Sequence, residues 1–279
     1  MNNIVKNCAV IHDICGIGRA ALSTIMPIMS IMGCEVSFLP TMILSSHTGG
    51  FGTPAKMESS EYMKNHINHW KDINPYFNGI YVGYIPSLNH GEIIKEFIDN
   101  FNKKDTVLLV DPILGDGGKL YSSFTEENID MMKEIIKGAN IITPNYTEAT
   151  LLLGEKYKTT ISLKEVIYLG ERLIGNNIDN VVITSVPLED ENNKANVFVM
   201  DNKGEYKIIS TPYIGGSYPG TGDAFTSILL AWVLRNGSLY EGAHKAMNFI
   251  YEIIKDMESL EGYDSRRGIP IEKYLRNLI

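Results

Sequence analysis

The sequence predicts an α/β protein: a mostly parallel central sheet, helices on both faces, and one antiparallel hairpin at an edge. Three observations carry this expectation. Short apolar runs rich in β-branched and aromatic residues alternate with segments of helical spacing, the pattern of βαβ units. One stretch instead alternates with period two about a turn, as a hairpin does. Polar or small residues recur at the end of run after run, where a parallel sheet gathers its ligand-binding loops.

Taken in order, strands are expected at 8–12 (CAVIH), 35–40 (EVSFLP), 79–85 (GIYVGYI), 106–111 (TVLLVD), 140–144 (NIITP) and 180–186 (NVVITSV). Each has strand length. Between them, 19–32, 58–72, 90–101, 125–137, 146–153 and 162–175 have the spacing of helices. Residues 195–211 alternate on both sides of Asn202-Lys203-Gly204 and are expected as the edge hairpin. Past residue 222 only helices are expected, at 223–236, 239–257 and 270–278. No repeat, low-complexity tract or shift of composition marks a boundary, so a single domain over 1–279 is expected.

The chain has 279 residues, 44% of them hydrophobic, enough for one large core. A net charge of −8 offers no general attraction to nucleic acid or to an anionic membrane, so any bound anion must be held locally. Cys8, Cys15 and Cys34 are few, odd in number and outside any zinc-ligand spacing, which suggests a reducing compartment. The opening MNNIVKNCAVIHD lacks the apolar run and cleavage pattern of a secretory signal, and a cytoplasmic protein is expected.

The most informative segment is PGTGDAF, 219–225, followed by an apolar helical run. Gly220, Thr221 and Gly222 let backbone N–H groups point at an anion, and the helix behind them adds its positive end. A carboxylate in the same turn, Asp223, is suited instead to accepting a proton from an attacking hydroxyl. Plain helix capping would also explain an Asp there. Asp111, Asp116 and Glu148 lie past strand ends, where hard oxygen ligands can hold Mg2+, although turn and capping chemistry explains each of them too.

PGTGDAF, DPILGD (111–116), TPNYTE (143–148) and SSHTGG (45–50), in this order and spacing, resemble the ribokinase superfamily and, more narrowly, its pyridoxal (vitamin B6) kinase family. The likeness runs from about residue 8 to 235. It implies a ribokinase-like three-layer sandwich and ATP-dependent phosphorylation of the 5′-hydroxyl of pyridoxal, pyridoxine or pyridoxamine. By the same resemblance Asp223 is the general base, and Gly220, Thr221 and Gly222 form the anion hole. Asp116 and Glu148 manage Mg2+ and the triphosphate with Asn145, while Thr184 and Ser185 touch the nucleotide phosphates. Asp111 and Thr143 match a monovalent-cation site, with K+ as the cation. Thr48 and Tyr84 match positions lining the pyridoxal pocket, and a homodimer is implied.

The sequence departs from the family at the end of the first strand. Where many members carry Gln-Ser, this chain has His12-Asp13, and Asp13 is expected to meet a ring group of the substrate. The reactive Cys that some bacterial relatives carry in the anion-hole loop is absent from GGSYPGTGD. A hydroxymethylpyrimidine kinase of the same superfamily is the nearest alternative. An NAD-dependent oxidoreductase built on GIGRAA (16–21), or a nucleotide-binding regulator without turnover, would be of a different class. Against NAD, HDIC is expected to separate GIGRAA from its strand, and the second strand ends in LPTM without an acidic residue for a ribose. His66 and His69 are expected on a solvated helix face, and 213–218 as a linker or a mobile cover.

Overall fold

The computed structural model describes residues 5–191, 193–257 and 262–279. In chain order the first half comprises β1 (Lys6–Cys15), α1 (Leu22–Ile31), β2 (Cys34–Leu44), β3 (Lys56–Glu58), α2 (Ser60–Ile73), β4 (Gly79–Val82), α3 (Leu88–Phe101), β5 (Val107–Val110), β6 (Gly115–Asp116) and β7 (Lys119–Leu120). There follow α4 (Glu126–Ile135), β8 (Ile141–Ile142), α5 (Tyr146–Leu153), α6 (Leu163–Ile174), β9 (Asn180–Ile183), β10 (Lys194–Asp201), β11 (Tyr206–Pro212), α7 (Thr221–Leu234) and α8 (Leu239–Met257).

Nine strands form one sheet in the order β11-β10-β9-β8-β5-β4-β1-β2-β3. The run from β9 to β2 is parallel throughout. Antiparallel partners close both edges, β3 against β2 and the β10–β11 hairpin against β9. Because side chains alternate across a strand, each central strand feeds two cores. Cys8, Val10, Tyr81 and Leu109 pack with α1, α7 and α8 on one face. Ala9, Ile11, Ile80, Val82, Leu108 and Val110 pack with α2 to α6 on the other. The result is the three-layer α/β arrangement with an edge hairpin that the alternation predicts.

Several elements differ from expectation. β1 is longer than 8–12: it continues beside β2 to the pair Cys15↔Leu44, with the register slipping between His12 and Ile14. HDIC is therefore part of the strand, and that argument against a dinucleotide fingerprint falls. The missing acidic residue after β2 remains, and the loop from Gly16 delays α1 to Leu22 rather than 19. Residues 270–278 are not an α-helix but two short 3₁₀ turns, Ile271–Lys273 and Leu275–Leu278. They are shaped by burying Ile271, Tyr274 and Leu278 against α1 and its neighbours rather than by helical propensity. The short edge strand β3 and the small β6–β7 hairpin carry no apolar run and were not expected.

Among the described residues no helix is long and apolar enough to cross a membrane. Several connections tie the loops after β1 and β2 to the described residues beyond α8, among them the side chains of Arg19 and His47. Arg19, in the loop after β1, is gripped by Glu272 at 2.7 and 2.8 Å and by the Tyr263 hydroxyl at 3.1 Å. His47, in the loop after β2, meets the Arg266 carbonyl at 2.5 Å. The segment beyond α8 thus closes over two loops at the carboxyl end of the sheet.

Candidate active site

The start of α7 organises this end of the sheet. Gly220 is its N-cap, with φ 81°, and no side chain caps the helix. Only glycine fits there, since a Cβ on Gly220 would lie 1.9 Å from the Arg19 carbonyl oxygen. A Cβ on Gly222 would meet nothing within 4 Å, so the turn is open on the side of the first helical N–H groups. Those groups have no partner within a helix and carry its positive end, which suits them to an anion.

Asp223 is buried, and both its oxygens are engaged from β1 and the loop after it. Oδ2 accepts the Ala21 backbone N–H at 2.7 Å. Oδ1 lies 3.2 Å from His12 Nε2, an ion-pair contact that is not aligned as a hydrogen bond. Ala21 holds a left-handed φ of 56°, unusual for a residue with a Cβ, and the bond to Asp223 fixes it there. Burial alone would raise the Asp223 pKa, but the His12 imidazole and the Ala21 N–H outweigh it and hold the carboxyl below its ordinary value. On the far side of the ring, His12 Nδ1 is 2.8 Å from Asp13 Oδ1, and Asp13 Oδ2 accepts from Cys15 Sγ at 3.3 Å. Burial would lower the His12 pKa, yet its two carboxylate neighbours raise it to about 10.

A second group lies one turn further along α7. Thr226 Oγ1 is 3.3 Å from Asp111 Oδ2 and 3.2 Å from Thr143 Oγ1, so its single proton serves Asp111 while Thr143 donates to it. The Tyr81 hydroxyl completes the set at 3.4 Å from Asp111 Oδ2. Burial, then the charge of Asp223, push Asp111 up to about 7. Glu148 is buried by its own chain: Oε2 accepts Asn145 N–H at 2.7 Å, Oε1 accepts Leu114 N–H at 3.1 Å, and Asn145 Oδ1 accepts Glu148 N–H at 2.9 Å. This is a capping box that also ties β6 to α5, helped by Asn145 Nδ2 donating to the Gly115 carbonyl at 2.8 Å. Burial and Asp111 raise the Glu148 pKa well above the usual carboxyl range.

The four carboxylates named in the sequence share one neighbour. After burial, the charges of Glu148, Asp116, Asp111 and Asp223 all raise the Tyr121 pKa. Among the described residues no Lys or Arg forms an ion pair with any of the four. Asp116 itself is exposed and accepts the Gly117 N–H at 2.7 Å. Thr184 lies against Asn145 through a β-bridge, while Ser185 is exposed in a left-handed φ of 55°. Tyr84 is half-buried, stacked on Phe124 at 5.9 Å and within electrostatic reach of Asp13. Thr48 is exposed, one residue past buried His47. The structure therefore joins Asp13 to Asp223, Asp111 to Thr143, and Asn145 to Glu148 and Thr184, and leaves Thr48 and Ser185 on open loops.

Four participants were not singled out in the sequence: His12 as a partner of Asp223, Thr226, Tyr121 and His47. Thr226 follows Asp223 at helical spacing, and that was a usable signal. His69 is exposed on α2 as expected, but His66 is half-buried with its ring 4.4 Å from that of Trp70, and among the described residues no third ligand joins them.

A parallel sheet whose strand ends converge on a Gly-Thr-Gly-Asp helix start defines a ribokinase-like small-molecule kinase. Residues 40–266 match the family model of phosphomethylpyrimidine kinase, and the chain belongs to that family. A Bacteroides thetaiotaomicron protein, solved with pyridoxal under the name of phosphomethylpyrimidine kinase, is 38% identical with a TM-score of 0.94, covering 99% of this chain and 96% of that one. Pyridoxal kinase from Lactobacillus plantarum has a TM-score of 0.90 at 27% identity, covering 99% and 97%. Pyridoxal kinase of Dictyostelium discoideum is 28% identical over 260 residues, 87% of this chain and 82% of its own.

The buried carboxylates can be tested in two ways. The folded protein binds the Asp111 proton more tightly than the unfolded chain does, so stability falls as pH rises from 3.8 to about 7. In cation-free buffer Asp111→Asn removes that loss, and its stability gain over wild type grows between pH 4 and 8 in urea titrations. A gain independent of pH would contradict the raised pKa. Glu148→Gln replaces one accepting oxygen with a donor facing backbone N–H groups and costs about 1–3 kcal/mol of unfolding free energy. An unchanged urea midpoint would remove Glu148 from the clamp.

Proposed function

We propose that the protein is a single-domain kinase that phosphorylates the 5′-hydroxyl of pyridoxal, pyridoxine or pyridoxamine with ATP, as a step in vitamin B6 salvage. The observation that carries this reading is Asp223: a carboxylate kept ionised while buried, in the turn that offers N–H groups to an anion, in a chain 38% identical to a protein solved with pyridoxal. The acceptor hydroxyl gives its proton to Asp223 as its oxygen attacks the γ-phosphorus of ATP, and ADP leaves. The N–H groups around Gly220, Thr221 and Gly222 take the negative charge that develops on the transferred group. Tyr84 and Thr48 line the acceptor pocket, and Asp13 faces its edge. Asn145, Thr184 and Ser185 attend the nucleotide phosphates.

The carboxylate cluster supports a need for cations. Asp111, Asp116, Glu148 and Asp223 gather without a Lys or Arg partner among the described residues, and a triphosphate would add to that charge. Asp116 and Glu148 would hold Mg2+ with the nucleotide, Glu148 through whatever capacity its cap leaves free. Asp111 and Thr143 would hold K+, with oxygen donors that fit a hard ion. Mg2+ would neutralise phosphate charge in the transition state. The buried, unpaired cysteines fit a cytoplasmic protein, and a homodimer is the assembly expected from the resemblance.

A second reading, hydroxymethylpyrimidine as the acceptor, is supported by a relative from Aquifex aeolicus, 31% identical, that is named hydroxymethylpyrimidine/phosphomethylpyrimidine kinase. Turnover measured side by side on the three vitamers and hydroxymethylpyrimidine separates the readings: vitamer phosphorylation at higher kcat/KM supports the first, and pyrimidine preference replaces it. Asp223→Asn lowers kcat by roughly 10²–10⁴-fold while ATP binding changes little, and near-normal kcat would remove Asp223 from the chemistry. Catalysis stops in excess chelator and returns with added Mg2+; full activity in chelator would rule out the divalent ion.

A further inference from the structure

We infer that His12 is a positioning residue for Asp223: its ring, anchored by Asp13, presses on Oδ1 and keeps the carboxylate ionised and turned toward the acceptor hydroxyl. This rests on the reading of Asp223 as the base. Four features of the fold carry it.

The first is the slip in register between His12 and Ile14. Neighbouring side chains on a regular strand point to opposite faces, so His12 and Asp13 would not meet. The irregularity beside β2 re-aims Asp13, as strand bulges do, and its carboxylate comes to 2.8 Å from the ring of the residue before it. The second is the space made for the ring: a Cβ on Gly83 would lie 2.0 Å from His12 Cδ2, so the strand end at β4 accommodates imidazole only as glycine. The third is the lateral contact with the Tyr81 ring, edge-on at 5.9 Å, which fixes the plane.

The fourth is the proton count. Asp13 Oδ1 at 2.8 Å from Nδ1 requires a proton between them, and Nε2 faces Asp223 Oδ1 at 3.2 Å. Both ring nitrogens then carry protons. The Asp13 backbone N also lies 3.0 Å from Nδ1, but the shorter, charge-assisted carboxylate contact governs. The unit Asp13–His12–Asp223 carries one net negative charge in a buried place where two bare carboxylates would repel. The other titratable groups facing it are Cys15 on β1, Tyr81 on β4, Tyr84 beyond β4, Asp111 beyond β5, Tyr121 beyond β7 and His47 beyond β2. Asp13 thereby gains a role beside the one expected of it at the substrate ring.

The test uses His12→Gln, Asp13→Asn, the double variant and Asp223→Asn, with kcat and acceptor KM measured against pH. His12→Gln is expected to lower kcat on the order of 10–100-fold with little change in acceptor KM. Without the facing cation the pKa of Asp223 rises, and the acid limb of kcat moves upward by about 1–3 units. Asp13→Asn shifts both in the same direction by less, and in the double variant it adds nothing to His12→Gln, since it acts through the ring. Losses of kcat that multiply in the double variant would mean that Asp13 does not act through the ring, and a loss in His12→Gln that appears in acceptor KM would make His12 a substrate contact; either would overturn the inference. Unchanged kcat and acid limb in His12→Gln, with Asp223→Asn inactive, would overturn it while leaving the base in place. Near-normal turnover of Asp223→Asn would overturn the base reading itself. Should the variants not fold, ¹⁵N-histidine spectra of the wild-type protein decide: both His12 nitrogens protonated at pH 8 supports the inference, and titration near the ordinary value of about 6.5 overturns it.

Discussion

The constraint on which the carboxyl end of this sheet depends is electrostatic: a carboxylate must stay charged although the fold has buried it. Burial disfavours the ionised form, so Asp223 needs compensation from fixed partners. The structure provides a backbone N–H from a strained residue, Ala21, and an imidazole from β1. Both partners belong to the first strand and the loop after it, about two hundred residues earlier in the chain. The helix that begins at Thr221 and the strand that ends at Cys15 are thus joined by charge as well as by the apolar core they share.

The neighbouring carboxylates meet the same constraint differently. Glu148 spends its oxygens on backbone donors and serves as a clamp between β6 and α5. Asp111 has hydroxyl donors among the described residues, from Tyr81 and Thr226, and these do not offset burial and the charge of Asp223, so its pKa rises to about 7. Asp116 stays exposed, where water supplies what a partner would. One sign of charge, held in four different environments, gives a graded series: a carboxylate kept ionised, one poised near neutrality, one tied up in structure and one open to solvent. Cations and phosphates can then be arranged around the series without any Lys or Arg among the described residues pairing with it, His12 being the one cation in contact.

Much of this was legible in the sequence. Alternation of apolar runs with helical segments places the parallel strands, because burial on both faces demands those residues. The Gly-Thr-Gly-Asp turn is legible because its glycines answer a local backbone need, visible at Gly220 as a positive φ and a contact with Arg19. What was not legible depends on contacts between distant segments. The 3₁₀ turns near the end of the described chain depend on what Ile271 and Tyr274 are buried against, not on a local period. The bulge at Asp13 arises from pairing with β2, and so the hold of Asp13 on the ring of His12 could not be read from the sequence. Thr226 stands one turn from Asp223, a spacing that places it beside the carboxylate, but its partners Asp111 and Thr143 come from distant segments.

Arg19 and Glu272, which close the loop after β1, are 253 residues apart in sequence. Closing a loop of that length must wait until the intervening sheet and helices have brought its ends together, since the chain entropy lost is recovered only by contacts made last. The loop beside Gly220 therefore acquires its shape late in folding. A chain with a finished sheet and an unfinished hook would bury its core and protect most of its amides from exchange, yet lack an ordered acceptor side. For this architecture, the order of the sheet and the order of the loop beside Gly220 rest on separate contacts, the second on an ion pair that includes Glu272.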